Sequence, residues 1–411
     1  MIRDIPEFYG LNCTINTTED CNLRCKYCYE TCKKPNNITL DKCYKFVDLV
    51  LEDEDPCNLR GTDRENIYDA RVFDFIGGDS LMDVKLLEKV FEYINTKVGL
   101  LPEDKKLPGG WKASISTNGT LFEKKEVRDF CEKWKDNLSL GVSIDGCTEI
   151  HDKNRVFVDG RGTMETIMKW QPWYKKTFPS EGFATKATCN RESIPFLYES
   201  LVFMHETLGL RYIRQNFIME DMHLTEDDIK ELDRQLELCS KYTFDHRHEM
   251  HWTMIDQNFS RYHIKKNAEN EAEENDFYHS GRCGSGCMPA LSIDGYIYPC
   301  FRWLPHTQNG TRRVMCVGNV DEGFSHKESF VAVQKGSIRA NCTREQKCLE
   351  CEWEPACPYC IGGCYAEHGD FIRTTHNCEV TKLQGKWATW YWEKIREYEG
   401  TDDYLDYENE F

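Results

Sequence analysis

Six short apolar runs in the first half of the chain predict the strands of a sheet. They are GLNCTINTT (10–18), RVFDFIGG (71–78), WKASISTNG (111–119), LSLGVSID (138–145), GFATKATCN (182–190) and RYIRQNFIM (211–219). Segments with apolar residues at helical spacing lie between them, at 41–53, 81–94, 122–136, 163–177 and 194–209. Such alternation is typical of a parallel sheet with crossover helices. Six units predict an α/β fold with a partial (β/α)6 barrel rather than the closed eight-unit form.

The rest of the chain follows a different pattern. Residues 231–282 are predicted to be a helical bridging region, because Leu232, Leu236 and Cys239 share one helical stripe before a polar run at 265–277. Residues 283–380 form a cysteine-rich segment, and a last helix with an acidic tail occupies 381–411. With the barrel at 1–230, the sequence predicts four regions.

Charge and hydropathy exclude several classes of protein. The 411 residues carry 52 Lys plus Arg against 70 Asp plus Glu, a formal net charge of −18. This balance argues against a broad surface that binds nucleic-acid phosphates. The chain has no apolar stretch long enough to span a membrane, and its beginning, MIRDIPEFYG, shows no secretory signal. We therefore expect a cytoplasmic protein with no nucleic-acid or membrane partner.

Cysteine is the unusual residue type. There are 22 cysteines, and ten of them lie between Cys283 and Cys364. A disulfide framework is typical of secreted chains, whereas clustered cysteines in a chain without a signal peptide indicate metal binding. We interpret most of the clustered cysteines as metal ligands.

The first cysteine motif, CNLRCKYCYE, follows the first predicted strand directly. It spaces Cys21, Cys25 and Cys28 as C-x3-C-x2-C. Four thiolates would saturate a [4Fe–4S] cube, whereas three leave one iron open to another ligand. A structural zinc ion usually takes four ligands in two pairs. Cys32 could be a fourth thiolate that closes the open iron, but we interpret it as a bystander.

At these residues the sequence resembles the radical S-adenosylmethionine (SAM) superfamily, whose open iron binds SAM. The resemblance extends to GGDS (77–80), STNG (116–119) and SIDG (143–146), each at the end of a predicted strand, where parallel α/β folds build their sites. Asp79 stands where the family's GGE motif commonly has Glu. The resemblance implies SAM-binding roles for Tyr27, Gly77, Gly78, Asp79, Ser116, Asn118, Ser143, Asp145 and Arg155.

The second cysteine array resembles the SPASM extension, which carries two auxiliary [4Fe–4S] clusters. The segments CGSGCMPALSIDGYIYPC (283–300) and CLECEWEPACPYCIGGC (348–364) carry this resemblance. It implies one cluster on Cys283, Cys300 and Cys364, and another on Cys348, Cys351, Cys357 and Cys378. Either Cys357 or Cys360 takes the third place of the second pattern, and Cys287, Cys316 and Cys342 remain candidates. A pair of zinc knuckles is the alternative.

The resemblance implies a radical SAM oxidoreductase. We expect reductive cleavage of SAM to a 5′-deoxyadenosyl radical, which abstracts hydrogen from a ribosomal peptide and leads to a thioether or carbon–carbon cross-link. The alternatives are an anaerobic sulfatase maturase that makes formylglycine, a peptide epimerase, a radical SAM enzyme acting on a small molecule, or a non-enzymatic zinc scaffold. In sulfatase maturases, the auxiliary cysteine of Tyr-Pro-Cys is followed directly by an Asp that acts as a base. This chain has Phe301 at that position. That difference counts against the sulfatase interpretation, although Asp74, Asp145 or Glu367 could substitute.

Three kinds of partner are expected. The peptide or protein substrate is the first, and an external electron donor such as flavodoxin or ferredoxin is the second. Only about ten residues precede the first strand, so we expect no N-terminal leader-recognition domain. A separate recognition protein, or the surface of the 225–280 region, would then bind the peptide. Arg302, Arg312, Arg313 and Trp303 either line that route or are ordinary surface and packing residues.

Overall fold

In the computed structural model, the described residues are 10–30, 33–61, 65–180, 182–255, 284–308, 310, 313–338, 341–354 and 357–400. The predictions for Cys32, Cys283 and Arg312, and for the bridging region beyond residue 255, lie outside these residues.

Five of the six predicted runs form continuous strands. They are β1 (Gly10–Thr18), β2 (Ala70–Gly77), β3 (Trp111–Thr117), β4 (Leu138–Ser143) and β5 (Ala184–Cys189). These strands pair in parallel in chain order. The sixth run divides into β6 (Tyr212–Ile213) and β7 (Gln215–Phe217); β7 lies beside β5, whereas β6 pairs with β8 (His251–Trp252). The predicted α/β fold with a parallel sheet is confirmed.

The helices that follow these strands cover one face of the sheet. They are α1 (Leu40–Glu52), α2 (Val84–Gly99), α3 (Lys125–Trp134), α4 (Thr148–Asn154), α5 (Met164–Met168), α6 (Gln171–Thr177) and α7 (Leu197–Val202). Alternate strand residues, such as Ile15, Phe73 and Ile115, belong to one buried apolar cluster with Phe46 of α1 and Phe91 of α2. Full burial of each such side chain contributes about 1.5–3 kcal/mol, which fixes the face that each strand presents to the helices.

The opposite face of the sheet is polar. The period of two along a strand sends the intervening side chains away from the helices. We call this the inner face, and it carries Asn12, Thr14, Asn16, Asp74, Ser114, Ser116, Ser143 and Lys186. A sheet that is apolar on one side and hydrophilic on the other provides a polar surface below the strand ends.

The cysteine-rich segment extends the same sheet. The strands β9 (Ala290–Leu291), β10 (Tyr296–Tyr298) and β11 (Gly318–Asn319) continue it beyond β1, in the order β11-β10-β9-β1-β2-β3-β4-β5-β7. Strand β9 is parallel to β1 and antiparallel to β10. The residues that follow Tyr298 are therefore placed beside the strand that leads into the first cysteine motif.

Five more helices complete the described chain. They are α8 (Glu226–Asp245), α9 (Glu328–Ser337), α10 (Gln346–Leu349), α11 (Ile361–His368) and α12 (Cys378–Glu399). Asp233 of α8 accepts hydrogen bonds of 2.7 Å from both Lys386 and the Trp387 indole of α12, so the last helix packs on α8. Within the described ranges, no helix is both long and apolar enough to cross a membrane.

Candidate functional site

The first cysteine motif lies in the loop after β1, held against the turn after β2. The backbone N–H of Gly78 donates to the Thr18 carbonyl at 2.8 Å, and that of Asp79 donates to the Asp20 carbonyl at 3.0 Å. A Cβ atom on Gly78 would lie 1.9 Å from the Asp20 carbonyl oxygen. Only glycine permits this approach, so the GGDS turn positions the chain that enters the motif at Cys21.

The segment after α4 holds the same loop from the other side. The backbone N–H of Arg24 donates to Val156 at 2.8 Å, and that of Lys26 donates to Asn154 at 3.0 Å. These bonds bring the Arg155 guanidinium to 4.0 Å from the Cys25 sulfur. The cysteine loop and the segment after SIDG therefore form one site at the carboxyl ends of the strands.

Asp145, Arg155 and Tyr27 form a buried hydrogen-bonded group. Arg155 Nε donates to Asp145 Oδ1 at 3.0 Å, the Tyr27 hydroxyl donates to Asp145 Oδ2, and the Thr188 N–H reaches Oδ1 at 3.2 Å. Burial lowers the pKa of Arg155, but the Asp145 carboxylate, Tyr27 and Cys25 together outweigh burial and raise it overall. Both oxygens of Asp145 are engaged, so its carboxylate orients Arg155 and Tyr27 and is poorly placed to act as a free base.

Asp79 is buried and directed into the protein. Its carboxylate accepts hydrogen bonds from Leu81 N at 3.1 Å, from Thr117 Oγ1 at 2.9 Å and from Asn118 N at 2.9 Å. Burial raises the pKa of Asp79, and the bonds from Asn118 and Thr117 partly offset that rise. The carboxylate thus joins the ends of β2 and β3 and leaves the backbone of Gly77 and Gly78 beside the cysteine loop.

The remaining predicted SAM-binding residues also lie at this edge. Asn118 Nδ2 donates to Asn22 Oδ1 at 2.9 Å and lies 3.8 Å from the Cys21 sulfur. Ser116 is exposed and Ser143 is half-buried, both on the inner face. The three strand-end motifs therefore surround the cysteine loop, although Asp79 and Asp145 use their carboxylates in internal bonds.

Four of the auxiliary cysteines lie together near the start of α12. Burial raises the pKa of the Cys378 thiol, and the neighbouring thiols of Cys357 and Cys348 raise it further. The Glu379 side chain raises the pKa of Lys382, and the thiols of Cys351 and Cys378 add to that effect. These effects place Cys348 and Cys357 near Cys378, and Cys351 and Cys378 near Lys382.

The structure separates Cys360 from that group. The Cys360 sulfur caps α11 by accepting from Gly363 N at 3.4 Å, and Cys360 lies close enough to Cys364 to raise the pKa of that buried thiol, after burial itself. Cys357 instead lies 3.9 Å from Thr381 Oγ1 at the start of α12. Cys357 and Cys360, between which the sequence could not decide, therefore lie in two different environments.

The cysteines predicted for the other auxiliary cluster lie less close to one another. Cys300 and Cys342 belong to one small apolar cluster with Ile361, which lies one turn before Cys364 on α11. Cys287 belongs to the main core, where it influences the thiol of Cys57. The sulfur of Cys316 donates to the Gly318 carbonyl at 3.2 Å. Among the described residues, no three His, Cys, Asp or Glu side chains are placed to hold a single metal ion.

Three residues that the sequence analysis did not identify lie beside the cysteine loop. Lys33 Nζ donates to the Cys28 sulfur at 3.0 Å. Glu30 is fully buried, with Oε2 3.4 Å from His306 Nε2. Burial raises the pKa of Glu30 to about 7 and, with help from Arg302, lowers that of His306 to about 4. His306 is distant in sequence from the loop, so no local pattern could have indicated the pair.

Parts of the chain are similar in sequence to three curated proteins. No family model matches it. It is 24% identical over 233 residues to an uncharacterized protein of Methanocaldococcus jannaschii, covering 56% of this chain and 71% of that protein. It is 28% identical over 158 residues to the cysteine-type anaerobic sulfatase-maturating enzyme of Clostridium novyi (37% of this chain, 36% of that enzyme). It is 30% identical over 145 residues to the Fe-coproporphyrin III synthase of Methanosarcina barkeri (34% and 28%). The chain thus spans about a third of the length of these two enzymes.

Solved structures match over nearly the whole chain. Native anSMEcpe with bound AdoMet, an anaerobic sulfatase maturase, has a TM-score of 0.68 at 17% identity, covering 95% of this chain and 100% of that one. Streptococcus suis SuiB bound to its precursor peptide SuiA has a TM-score of 0.57 at 15% identity, covering 90% of this chain and 76% of SuiB. The predicted resemblance to radical SAM enzymes of the SPASM type is therefore confirmed, together with the fold.

Proposed function

We propose that this chain is a radical SAM enzyme that modifies a peptide or protein substrate. The observation that carries the proposal is the placement of Cys21, Cys25 and Cys28 in one loop, bounded by Asn118 and Arg155 at the strand ends. Three thiolates can hold a [4Fe–4S] cube and leave one iron for AdoMet. With that cofactor bound, the cluster supplies reductive cleavage to a 5′-deoxyadenosyl radical.

The chain's own residues position the cofactor and the substrate. Arg155, fixed by Asp145, offers a buried cation for the cofactor's carboxylate, and Tyr27 closes the other side of Asp145. The backbone of Gly77 and Gly78 suits the cofactor's amino group. Polar strand-end side chains at Ser116, Asn118 and Ser143 suit the nucleoside. These contacts contribute by orientation rather than by acid–base chemistry.

We further propose two auxiliary clusters. Cys348, Cys351, Cys357 and Cys378 would hold one, which their mutual influence on pKa supports. Cys283, Cys300 and Cys364 would contribute to the other, with Cys342 as a further candidate because it shares an apolar cluster with Cys300. On this assignment Cys360 is not a ligand of the first of these clusters. With the SAM-binding cluster, the chain would carry about twelve irons.

A peptide substrate is supported by two of the structural relatives. SuiB was solved with the precursor peptide SuiA, and anSMEcpe was solved with AdoMet and the Cp18Cys peptide. We propose a thioether or carbon–carbon cross-link as the product, with flavodoxin or ferredoxin as the electron donor. A separate leader-recognition protein would deliver the peptide.

Formylglycine formation is the second candidate, since this chain covers all of anSMEcpe but 76% of SuiB. That reaction needs a base, and Phe301, directly after Cys300, cannot accept a proton. His306 lies in the same segment, and its ring stacks on Tyr29 of the cysteine loop at 5.8 Å between centroids. An imidazole at this position could accept the proton.

Anaerobic reconstitution tests the proposal in two stages. In the first, reduction with AdoMet should release 5′-deoxyadenosine, and replacing Cys21, Cys25 and Cys28 by Ala should abolish it. Cys131→Ala, which removes a buried core thiol of α3, is the matched control and should retain the activity. A wild-type chain that binds zinc and releases no 5′-deoxyadenosine would refute the proposal.

In the second stage, the enzyme is co-expressed with precursor peptides encoded beside it, and the products are weighed. Loss of two hydrogens without hydrazide reactivity indicates a cross-link, whereas reactivity with a hydrazide indicates formylglycine. An unchanged mass with altered chirality indicates epimerisation. If none of these three changes is observed, the proposal of a peptide substrate is contradicted.

A further inference from the structure

The inner face carries a lysine, Lys186, that has no ion-pair partner in the part of the chain that the structure describes. Ala187 and Cys189 of β5 are buried in the core, so Lys186 and Thr188 point to the inner face. Ser143 of β4 lies opposite Lys186 in the register of the two strands. Among the described residues, no carboxylate pairs with the Lys186 ammonium and no side chain accepts a hydrogen bond from it.

Lys186 lies just below the proposed SAM site. The N–H of Thr188, two residues further along β5, donates to Asp145. At about 3.3 Å of rise per residue, Lys186 is roughly 7 Å deeper along the strand. That depth places the Lys186 backbone in the part of the inner face that a substrate would occupy if it met a radical formed at the strand ends.

Two further cations face the same region. Burial lowers the pKa of Lys186, and the positive charges of Arg302 and Arg155 lower it further. Lys186, Arg302 and Arg155 therefore repel one another. Arg155 is neutralised by Asp145 at 3.0 Å. Arg302 makes a 3.2 Å contact with Glu220, a half-exposed carboxylate on the outside, and its buried Nε has no hydrogen-bond partner among the described residues.

We propose that Lys186, assisted by Arg302, binds a carboxylate of the substrate on the inner face of the sheet. The proposal rests on the proposed function and narrows its substrate to one that presents an anionic group beside the reacting carbon. Lys186 is exposed and has no ion-pair partner among the described residues, so its ammonium gains a charge-assisted hydrogen bond when an anion arrives. In a peptide that anion is either an Asp or Glu side chain or the C-terminal carboxylate.

The cofactor's own carboxylate is the competing source of an anion. Arg155 already stands 4.0 Å from Cys25, one of the three thiols that would hold the SAM-binding cluster, and it is fixed by Asp145. Lys186 lies deeper and on a different strand. The proposal therefore requires that the affinity for AdoMet does not depend on Lys186.

The test uses reconstituted holoenzyme with AdoMet and three pools of random ten-residue peptides. The first pool has a central Glu and blocked ends, the second has a central Gln and blocked ends, and the third has no acidic residue but a free C-terminus. Equilibrium dialysis with mass spectrometry measures the retained fraction of each pool. The wild type should retain either the first or the third pool about tenfold more than the second. Retention of the first pool identifies a side-chain carboxylate, and retention of the third identifies the C-terminal carboxylate.

Variants of the lysine complete the design. Lys186→Met should remove the preference, Lys186→Arg should keep it, and Lys125→Met should keep it because Lys125 is an exposed surface residue paired with Asp129. Equal iron content and equal AdoMet affinity in Lys186→Met establish that the variant is folded. The proposal is overturned if the wild type shows no preference for either carboxylate pool, if Lys186→Met keeps the preference, or if Lys186→Met instead weakens AdoMet binding.

The two proposals can fail separately. Absence of 5′-deoxyadenosine from the wild type would refute the radical SAM activity while leaving a lysine-dependent carboxylate preference in place. Normal release of 5′-deoxyadenosine with no such preference would refute the carboxylate site alone.

Discussion

Gly78→Ala should detach the first cysteine loop from the sheet. The added Cβ would lie 1.9 Å from the Asp20 carbonyl oxygen and 3.1 Å from the Cys21 Cβ. Carbon–oxygen contacts below 3.0 Å essentially do not occur, so the two backbone segments must separate by about 1 Å. The hydrogen bonds from Gly78 N and Asp79 N, at 2.8 and 3.0 Å, would then be lost or weakened.

The cost can be bounded from these contacts. Each lost backbone bond contributes about 0.5–1.5 kcal/mol, and overpacking a tight contact costs about 1–3 kcal/mol. The free energy of unfolding should fall by about 2–6 kcal/mol, and Cys21 should move out of register with Cys25 and Cys28. We expect the variant to lose about four irons per chain, which is one of the three proposed clusters, and to release no 5′-deoxyadenosine.

Gly99→Ala is the matched control. Gly99 ends α2, and a Cβ there would meet nothing within 4 Å. The same substitution should leave iron content and activity unchanged and should stabilise the helix end by about 0.5–1 kcal/mol. Thermal unfolding, iron analysis and the 5′-deoxyadenosine assay distinguish the two variants. Full iron content and wild-type stability in Gly78→Ala would refute the reasoning.

Three further predictions concern the cysteines and a buried histidine. Lys33→Met removes the donor 3.0 Å from the Cys28 sulfur, so the first cluster should become harder to reduce, by about 50 mV in an EPR redox titration; an unchanged potential would contradict it. Cys357→Ala should lose one auxiliary cluster in iron analysis, whereas Cys360→Ala should keep it, and the reverse result would exchange their assignments. Burial lowers the pKa of His151 to about 4, so its contribution to stability is complete above pH 6.5 and is lost as the pH falls toward 4. Between pH 7 and 4 the wild type should therefore lose about 3 kcal/mol more unfolding free energy than His151→Gln, measured by denaturant titration, and equal losses would contradict this.

Local patterns were sufficient for most of the sheet. The apolar run at 10–18 predicts β1, and the structure buries Leu11, Cys13 and Ile15, which alternate with polar residues, on the face toward the helices. The sixth run is the exception. It divides into β6 and β7 because Tyr212 and Ile213 pair with β8 while the later residues pair with β5, and no local pattern distinguishes these two partners.

The sequence also indicated the strand-end residues of the site, but not how they use their side chains. Asp79 and Asp145 were predicted as cofactor-binding groups, and their positions at the ends of β2 and β4 agree with the edge where the cysteine loop lies. Their carboxylates, however, bond to Thr117 and to Arg155, respectively. The direction in which each carboxylate points depends on the hydrogen-bond donors that the fold brings near it, and the spacing of a motif does not reveal those donors.

By itself, the sequence determined the elements whose causes are short-range: the faces of the strands, the glycine turn and the spacing of thiols within one loop. Only the tertiary structure decided which distant groups meet. It placed His306 against Glu30. It also placed Cys357, and not Cys360, beside Cys378, and it left Lys186 facing other cations. These relations depend on how far apart side chains lie after the chain has folded, and electrostatic and hydrogen-bond energies fall off with that distance rather than with separation along the sequence.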